Sequence, residues 1–154
     1  MDEREKVPKT EAVKYLLQES RMILPGLQVL FGFQLIVVFN GNFYEFLSYP
    51  EQILHVIAMG LVAVAITLVI APAAFLHYQG ERMISDRFIN MSSWLMSGGM
   101  VPLSIAVVIE FYLVIRVVIN IAWVSFVSAA VLAILTVFFW FLLPRIHARR
   151  VNHL

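Results

Sequence analysis

Cysteine is absent from the chain of 154 residues, so disulfides, thiolate metal sites, iron–sulfur clusters and thiol catalysis are excluded. Charged residues are also scarce: they make up 14% of the chain, whereas soluble domains carry about 25%. The net charge of +1 gives no strong field that would attract nucleic acid. This composition excludes a nucleic-acid-binding module and an ordinary water-soluble enzyme.

Apolar residues are abundant instead, at 61% of the composition, and the mean hydropathy is +0.86. Long apolar stretches cover residues 22–39, 53–76 and 91–143. A membrane-spanning helix needs about 20 apolar residues, so the last stretch is long enough for two spans. We place the tight turn between those two spans near Arg116. The sequence therefore predicts an all-α membrane protein with four transmembrane helices.

The N-terminal segment is charged throughout and does not resemble a signal peptide. Apolar residues recur along one edge of this segment, which predicts an amphipathic helix at the membrane surface. We expect the chain to bend into the first span at Pro25 and Gly26; an ordinary polar leader is the alternative. The predicted domains are an interfacial N-terminal helix (1–21), a four-helix transmembrane domain (22–143) and a basic cytoplasmic tail (144–154).

Lysine and arginine are distributed unevenly along the chain. Five precede the first span, two lie between the second and third, and three follow the fourth, whereas residues 40–52 contain none. Because positively charged loops are retained in the cytoplasm, both termini and the middle loop are predicted to be cytoplasmic. The basic tail is expected to bind anionic lipid headgroups.

The segment that follows the first span, residues 41–52, is rich in aromatic residues. This pattern is typical of a short helix in the membrane interface. Phe43, Phe46 and Leu47 would then enter the lipid or cap the bundle. An interfacial anchor and a lid over a pore mouth are both compatible with the sequence.

Small residues recur at helical spacing in the second span and share one face of the helix. In lipid, small side chains let neighbouring helices approach closely. We expect these residues to pack the bundle, and packing against a second copy of the chain is the alternative. The candidate helix-packing residues are Gly60, Ala63, Thr67, Ala71 and Ala74 in the second span, together with Gly32 in the first span and Gly99 in the third.

Polar side chains inside the spans are the candidates for function. Gln28 and Gln34 lie within the first span, and Glu110 is the one carboxylate that we place within a span. Such groups need a partner in the bundle, in an oligomer or in a water-filled path. Gln28, Gln34 and Glu110 are therefore a candidate polar path, with interhelical hydrogen bonds as the alternative for the glutamines. Glu110 and Arg116 are also a candidate ion pair at the outer rim.

His55 and His77 lie at opposite ends of the second span, about 33 Å apart along a helix, so they cannot share a metal or haem. We expect both histidines to be interfacial. The chain contains no H-x-x-x-H pattern, no phosphate loop and no strand-turn-helix serine motif. We therefore expect no catalytic residue, no metal, no cofactor and no enzymatic activity.

Several blocks resemble a family of small four-span bacterial membrane proteins of unknown function, some of which are labelled sodium/proton antiporters. The blocks are Arg21, Leu24-Pro25-Gly26, Gln28, the FGFQL run at 31–35, His55 and the APAA run at 71–74. The resemblance implies a multi-pass protein of the bacterial inner membrane. Large sodium/proton antiporters carry paired intramembrane acids on broken helices, whereas Glu110 stands alone here.

Together these features predict a small polytopic inner-membrane protein that self-associates and forms an ion- or proton-conducting path through polar groups of the first helix. Four spans enclose little volume, so a pore would need several copies. A non-transporting accessory subunit or scaffold that packs against a larger membrane complex is the alternative. The expected partners are the lipid bilayer, a second copy of the chain and, in the alternative, another membrane protein.

Ser48 and Ser85 test the predicted orientation, since the chain has no native cysteine. We expect a membrane-impermeant thiol reagent to label Ser48→Cys but not Ser85→Cys in intact cells, because residues 40–52 are predicted to face outward. Labelling of Ser85→Cys alone would reverse the predicted orientation.

Overall fold

The computed structural model describes residues 9–41, 43–79 and 85–146, and these residues contain no β-strand. Four helical stretches among them are long and apolar enough to cross a membrane, namely Val13–Phe39, Tyr49–Tyr78, Asp86–Ile119 and Ala122–Ile146. The predicted all-α architecture with four membrane-spanning helices is confirmed. The helices are α1 (Lys9–Phe39), α2 (Phe43–Phe46), α3 (Tyr49–Gln79), α4 (Asp86–Ile119) and α5 (Ala122–Val137), and a π-helical turn (Phe138–Leu142) follows α5.

Helix α1 is continuous from Lys9 to Phe39 and contains Pro25, so the predicted surface helix is not a separate element. The part of α1 before the first apolar stretch packs within the bundle, where Val13 and Ser20 are buried. The Ser20 hydroxyl donates to the main-chain oxygen of Val69 on α3, at 3.4 Å. Contacts of this kind hold the helix on both sides of the proline, which by itself removes only one backbone hydrogen bond.

The predicted N-terminal domain boundary therefore has no counterpart in the helix, since α1 runs through it without a break. The first eight residues, the middle-loop residues 80–84 and most of the predicted basic tail, residues 147–154, lie outside the described residues.

The turn between the last two spans lies at Asn120, four residues beyond the predicted position near Arg116. Asn120 has a φ of 55°, in the left-handed region that asparagine tolerates better than most residues. Its main-chain N–H donates to the main-chain oxygen of Arg116, at 3.0 Å, and so closes the last turn of α4. Arg116 is consequently a helical residue inside α4.

Helices α3 and α4 form the most extensive helix pair, while α1 packs on α3 and α5 packs on α4. Gly99 on α4 lies at a close contact between the two central helices. A Cβ atom at this position would lie 3.2 Å from Cγ2 of Val69 and 3.4 Å from the main-chain oxygen of Ala65. The packing role predicted for Gly99 follows from this contact.

The other small residues predicted to pack the bundle lie on the outer side of their helices. Gly60, Thr67 and Ala74 are exposed on α3, and Ala63 and Ala71 are only partly covered. The side of α3 that packs inward carries a different set of residues, namely Ala58, Val62, Ala65, Val69 and Pro72.

Gly32 on α1 is also only partly covered. A Cβ atom at Gly32 or Gly60 would have no described residue of another helix within 4 Å. The predicted packing inside the bundle is therefore wrong for the exposed residues Gly60, Thr67 and Ala74. Two small-residue faces run along α3, and the bundle uses the one that contains Ala58 and Ala65.

Gly99→Val tests the close approach of α3 and α4. We expect this substitution to lower the free energy of unfolding by about 1–3 kcal/mol, because the added atoms must displace Val69 or the α3 backbone. Gly60→Val is the matched control and should change the unfolding free energy of the monomer much less. Equal losses for both variants, measured by denaturant unfolding in detergent, would contradict the described packing.

Candidate functional site

Three polar side chains from three different helices meet inside the bundle: Gln34 of α1, His55 of α3 and Glu110 of α4. Gln34 and His55 are 3% and 2% exposed. The Glu110 side chain is 18% exposed. We refer to these three residues as the polar cluster.

The hydrogen bonds of the polar cluster converge on one carboxylate. Gln34 Nε2 donates to Glu110 Oε1 at 2.9 Å. His55 Nδ1 lies 3.0 Å from the same oxygen and 3.3 Å from Oε2. On the other side of its ring, His55 Nε2 lies 3.0 Å from the main-chain oxygen of Gln34. Both ring nitrogens therefore face an oxygen acceptor.

The contacts of the His55 ring determine which of its nitrogens carries a hydrogen. The main-chain oxygen of Gln34 can only accept, so Nε2 of His55 carries a hydrogen. The contact between Nδ1 and Glu110 then needs one further proton, which is held either by the ring or by the carboxyl group. The first state is an imidazolium–carboxylate pair and the second is a neutral pair. Both states satisfy the same short contact.

The N-terminal end of α3 and the one-turn helix α2 cover the polar cluster. The Phe43 ring lies 5.4 Å from the His55 ring, measured between centroids. Phe43 and Leu47 are buried and pack with Leu113 of α4 into one apolar group. The segment predicted to be interfacial thus forms a short helix that caps the bundle through Phe43 and Leu47, whereas Phe46 is exposed.

An apolar layer closes the polar cluster on its other side. Ala58, Val62 and Ala106 are completely buried there, and side chains of α1 and α4 pack around them. Buried Ser20 lies beyond this layer, 14 residues from Gln34 along α1, which corresponds to about 21 Å of helix. Among the described residues, no hydrogen bond links Ser20 to the polar cluster.

The structure brings together two of the three residues of the predicted polar path. Gln34 and Glu110 are in direct contact. Gln28 is exposed on the outer surface of α1, and no hydrogen bond joins it to the polar cluster in the described part of the chain. The predicted path along helix 1 is therefore reduced to Gln34.

The predicted ion pair between Glu110 and Arg116 is wrong. Arg116 Nε pairs with Glu51 Oε1 at 3.1 Å, and Arg116 Nη1 donates to Asn120 Oδ1 at 2.8 Å. Because α4 remains helical through Arg116, six residues rotate this side chain by about 240° away from Glu110. Glu51 also accepts hydrogen bonds from Ser48 N and Ser48 Oγ, at 2.8 and 2.6 Å.

His55 is the cluster residue that the sequence reasoning missed, because it was expected to lie in the interface. Helix α3 begins at Tyr49, four residues before the apolar stretch, so His55 lies in its second turn and not at its start. Its position as a polar residue in the early part of a span is the signal that could have identified it. His77, by contrast, is exposed. Residues 9–41, 43–79 and 85–146 contain no group of three or more metal-ligating side chains.

A double-mutant cycle with His55→Gln and Glu110→Gln tests the polar cluster. We expect a coupling free energy of about 1–2 kcal/mol, above the average of about 0.6 for interhelical hydrogen bonds in membranes, because this contact is charge-assisted or shares a proton. The matched control is the cycle for Glu51 and Arg116 at the partly exposed rim, where we expect about 0–1 kcal/mol. A coupling for His55 and Glu110 no larger than the control, from unfolding in detergent, would contradict the described contacts.

Residues 3–144 match the model of a family of unknown function, DUF6328, and this match covers nearly the whole chain. Comparisons with curated proteins and with solved structures find no match. The resemblance to a family of unknown function that the sequence blocks suggested is confirmed. The chain belongs to the DUF6328 family.

Proposed function

We propose that this multi-pass membrane protein moves protons, with the polar cluster of Gln34, His55 and Glu110 as the proton-binding site. The single observation that carries the proposal is the pairing of Glu110 Oε1 with His55 Nδ1 at 3.0 Å inside a bundle of apolar helices. Ionisable groups within membrane spans are expensive to bury and mark ion or proton pathways. A histidine and a carboxylate in contact are the residue types that exchange protons in such pathways.

The polar cluster can change its proton content without moving the backbone. Loss of the shared proton leaves a neutral ring beside a carboxylate, and gain of a proton leaves an imidazolium beside a carboxylic acid. Gln34 Oε1 is buried and accepts no hydrogen bond from the described residues. Rotation of the Gln34 amide would present this oxygen to a protonated Glu110, so Gln34 can serve both states of the carboxyl group.

The direction of proton entry follows from how the polar cluster is covered. Glu110 retains some exposure, and the apolar layer of Ala58, Val62 and Ala106 closes the side of the polar cluster that faces away from α2. With the predicted orientation in a bacterial inner membrane, protons enter from outside. Passage to the cytoplasm requires the apolar layer to open or to hydrate, as hydrophobic constrictions do in gated pores.

Self-association is part of this proposal. The small-residue face of α3 that includes Gly60, Thr67 and Ala74 is exposed, and a Cβ atom at Gly60 would meet no neighbouring helix among the described residues. Small residues on a lipid-facing surface let a second helix approach closely. Two or more copies packed through this face would bring several polar clusters into one assembly.

The second candidate function is a non-transporting accessory subunit or scaffold. The same exposed face of α3 favours it, because another membrane protein could pack there as well as a second copy. In this case the polar cluster would serve only to hold α1, α3 and α4 in register.

Proton flux into liposomes tests the proposed function. We expect purified protein to carry protons down a pH gradient, and we expect Glu110→Gln and His55→Gln to reduce the flux to that of empty liposomes. Glu51→Gln is the matched control, because it removes a carboxylate from the rim without touching the polar cluster. The readout is the fluorescence of a pH-sensitive dye trapped inside the liposomes.

Wild-type flux no greater than that of empty liposomes would overturn the proposal and leave the accessory role. Wild-type flux that survives in Glu110→Gln would show that protons take another route. Folding of each variant is checked by its circular dichroism and its elution volume, so that loss of flux is not confused with loss of structure.

A further inference from the structure

A second polar site lies at the same end of the bundle, outside the polar cluster. It is a cavity of about 330 Å³ between α2, the first turn of α3 and the last turn of α4. Its lining residues are Glu45, Phe46, Glu51, Arg116, Val117 and Asn120. We refer to it as the rim cavity. We infer that the rim cavity binds a lipid headgroup that carries both a phosphate and a primary amine.

Some charged groups of the rim cavity have partners among the described residues, and others do not. Glu51 is paired with Arg116 and bonded to Ser48. Glu45 is exposed and makes no ion pair or hydrogen bond with a described residue. Arg116 uses Nε and Nη1, and its Nη2 makes no hydrogen bond with the described part of the chain. The rim cavity thus offers a carboxylate and a pair of guanidinium N–H groups at the same time.

These groups select a ligand with two opposite charges. A guanidinium binds phosphate oxygens with good geometry, and a primary ammonium donates hydrogen bonds to a carboxylate. Two carboxylates and one guanidinium give the rim cavity a net charge of −1, which disfavours a ligand that is only anionic. A quaternary amine has no N–H to donate to Glu45, so a choline headgroup is a poorer fit than an ethanolamine headgroup.

The position of the rim cavity indicates that its ligand comes from the bilayer. Exposed Tyr44, Tyr49 and Trp123 lie at this end of the helices, as aromatic residues do at the level of the lipid headgroups. Phe46 and Val117 in the wall of the rim cavity are themselves exposed apolar residues. They provide a surface along which the acyl chains of a bound lipid can leave the headgroup and enter the membrane.

Lipid binding to the delipidated full-length protein, measured by native mass spectrometry, tests the inference. The probes are phosphatidylethanolamine, phosphatidylcholine and phosphatidylglycerol, each added at the same concentration. We expect phosphatidylethanolamine to be retained best. We expect Glu45→Gln to lower its retention to that of phosphatidylcholine, because the carboxylate that receives the amine is lost. Arg116→Gln should weaken all three lipids, because each carries a phosphate.

Glu19→Gln is the matched control. Glu19 is an exposed carboxylate of α1 that lies 20 residues before the end of the helix, which corresponds to about 30 Å of helix. Its variant should retain phosphatidylethanolamine as the wild type does. Glu45 is also exposed, so Glu45→Gln remains informative if Arg116→Gln fails to fold.

Equal retention of the three lipids, or full retention of phosphatidylethanolamine by Glu45→Gln, would overturn the inference. Soluble phosphoethanolamine, added as a competitor, separates a lipid from a free ligand of the same chemistry. Displacement of the lipid at comparable concentrations would overturn the assignment to a lipid. Failure to displace it would support that assignment, because the acyl chains then contribute to binding.

Discussion

The cost of placing a carboxylate among apolar helices is the constraint on which the rest of this structure depends. This cost is offset by two neighbours of Glu110 that come from different helices, His55 at 3.0 Å and Gln34 at 2.9 Å. These contacts fix the rotation of α1, α3 and α4 relative to one another, because any other rotation would leave a buried polar group without a partner. The cap formed by Phe43 and Leu47 then limits the access of water to the same contacts.

The four spans could be predicted from the sequence because their length and apolar content are set by the thickness of the bilayer. Gln34 and Glu110 could also be identified, since polar residues in spans are rare. The side chains that contact Gln34 and Glu110 could not be predicted, because they depend on the rotation of each helix about its axis. An error of one residue in the predicted end of a helix changes that rotation by about 100°. Helix α3 begins before the apolar stretch and α4 extends past Arg116. These two extensions place His55, and not Arg116, beside Glu110.

The packing of small residues could likewise be predicted only in part from the sequence. Helix α3 carries small residues on two faces, and the spacing of such residues does not tell which face meets α4. The bundle uses the face with Ala58 and Ala65, because Gly99 of α4 comes against it. The face with Gly60 and Thr67 is left for lipid or for another protein. Sequence periodicity identifies interfaces, but complementarity between two helices decides which interface belongs to the single chain.

The most direct test of the polar cluster is nitrogen-15 NMR of the histidine side chains in lipid bilayers, with His55 assigned by its loss in His55→Gln. We expect His55 Nε2 to carry a hydrogen and its Nδ1 signal to shift in Glu110→Gln, while exposed His77 stays unchanged. Those shifts would show that His55 and Glu110 share a proton inside the bundle. A His55 signal that resembles that of His77, and that does not respond to Glu110→Gln, would contradict the proposed proton-binding site.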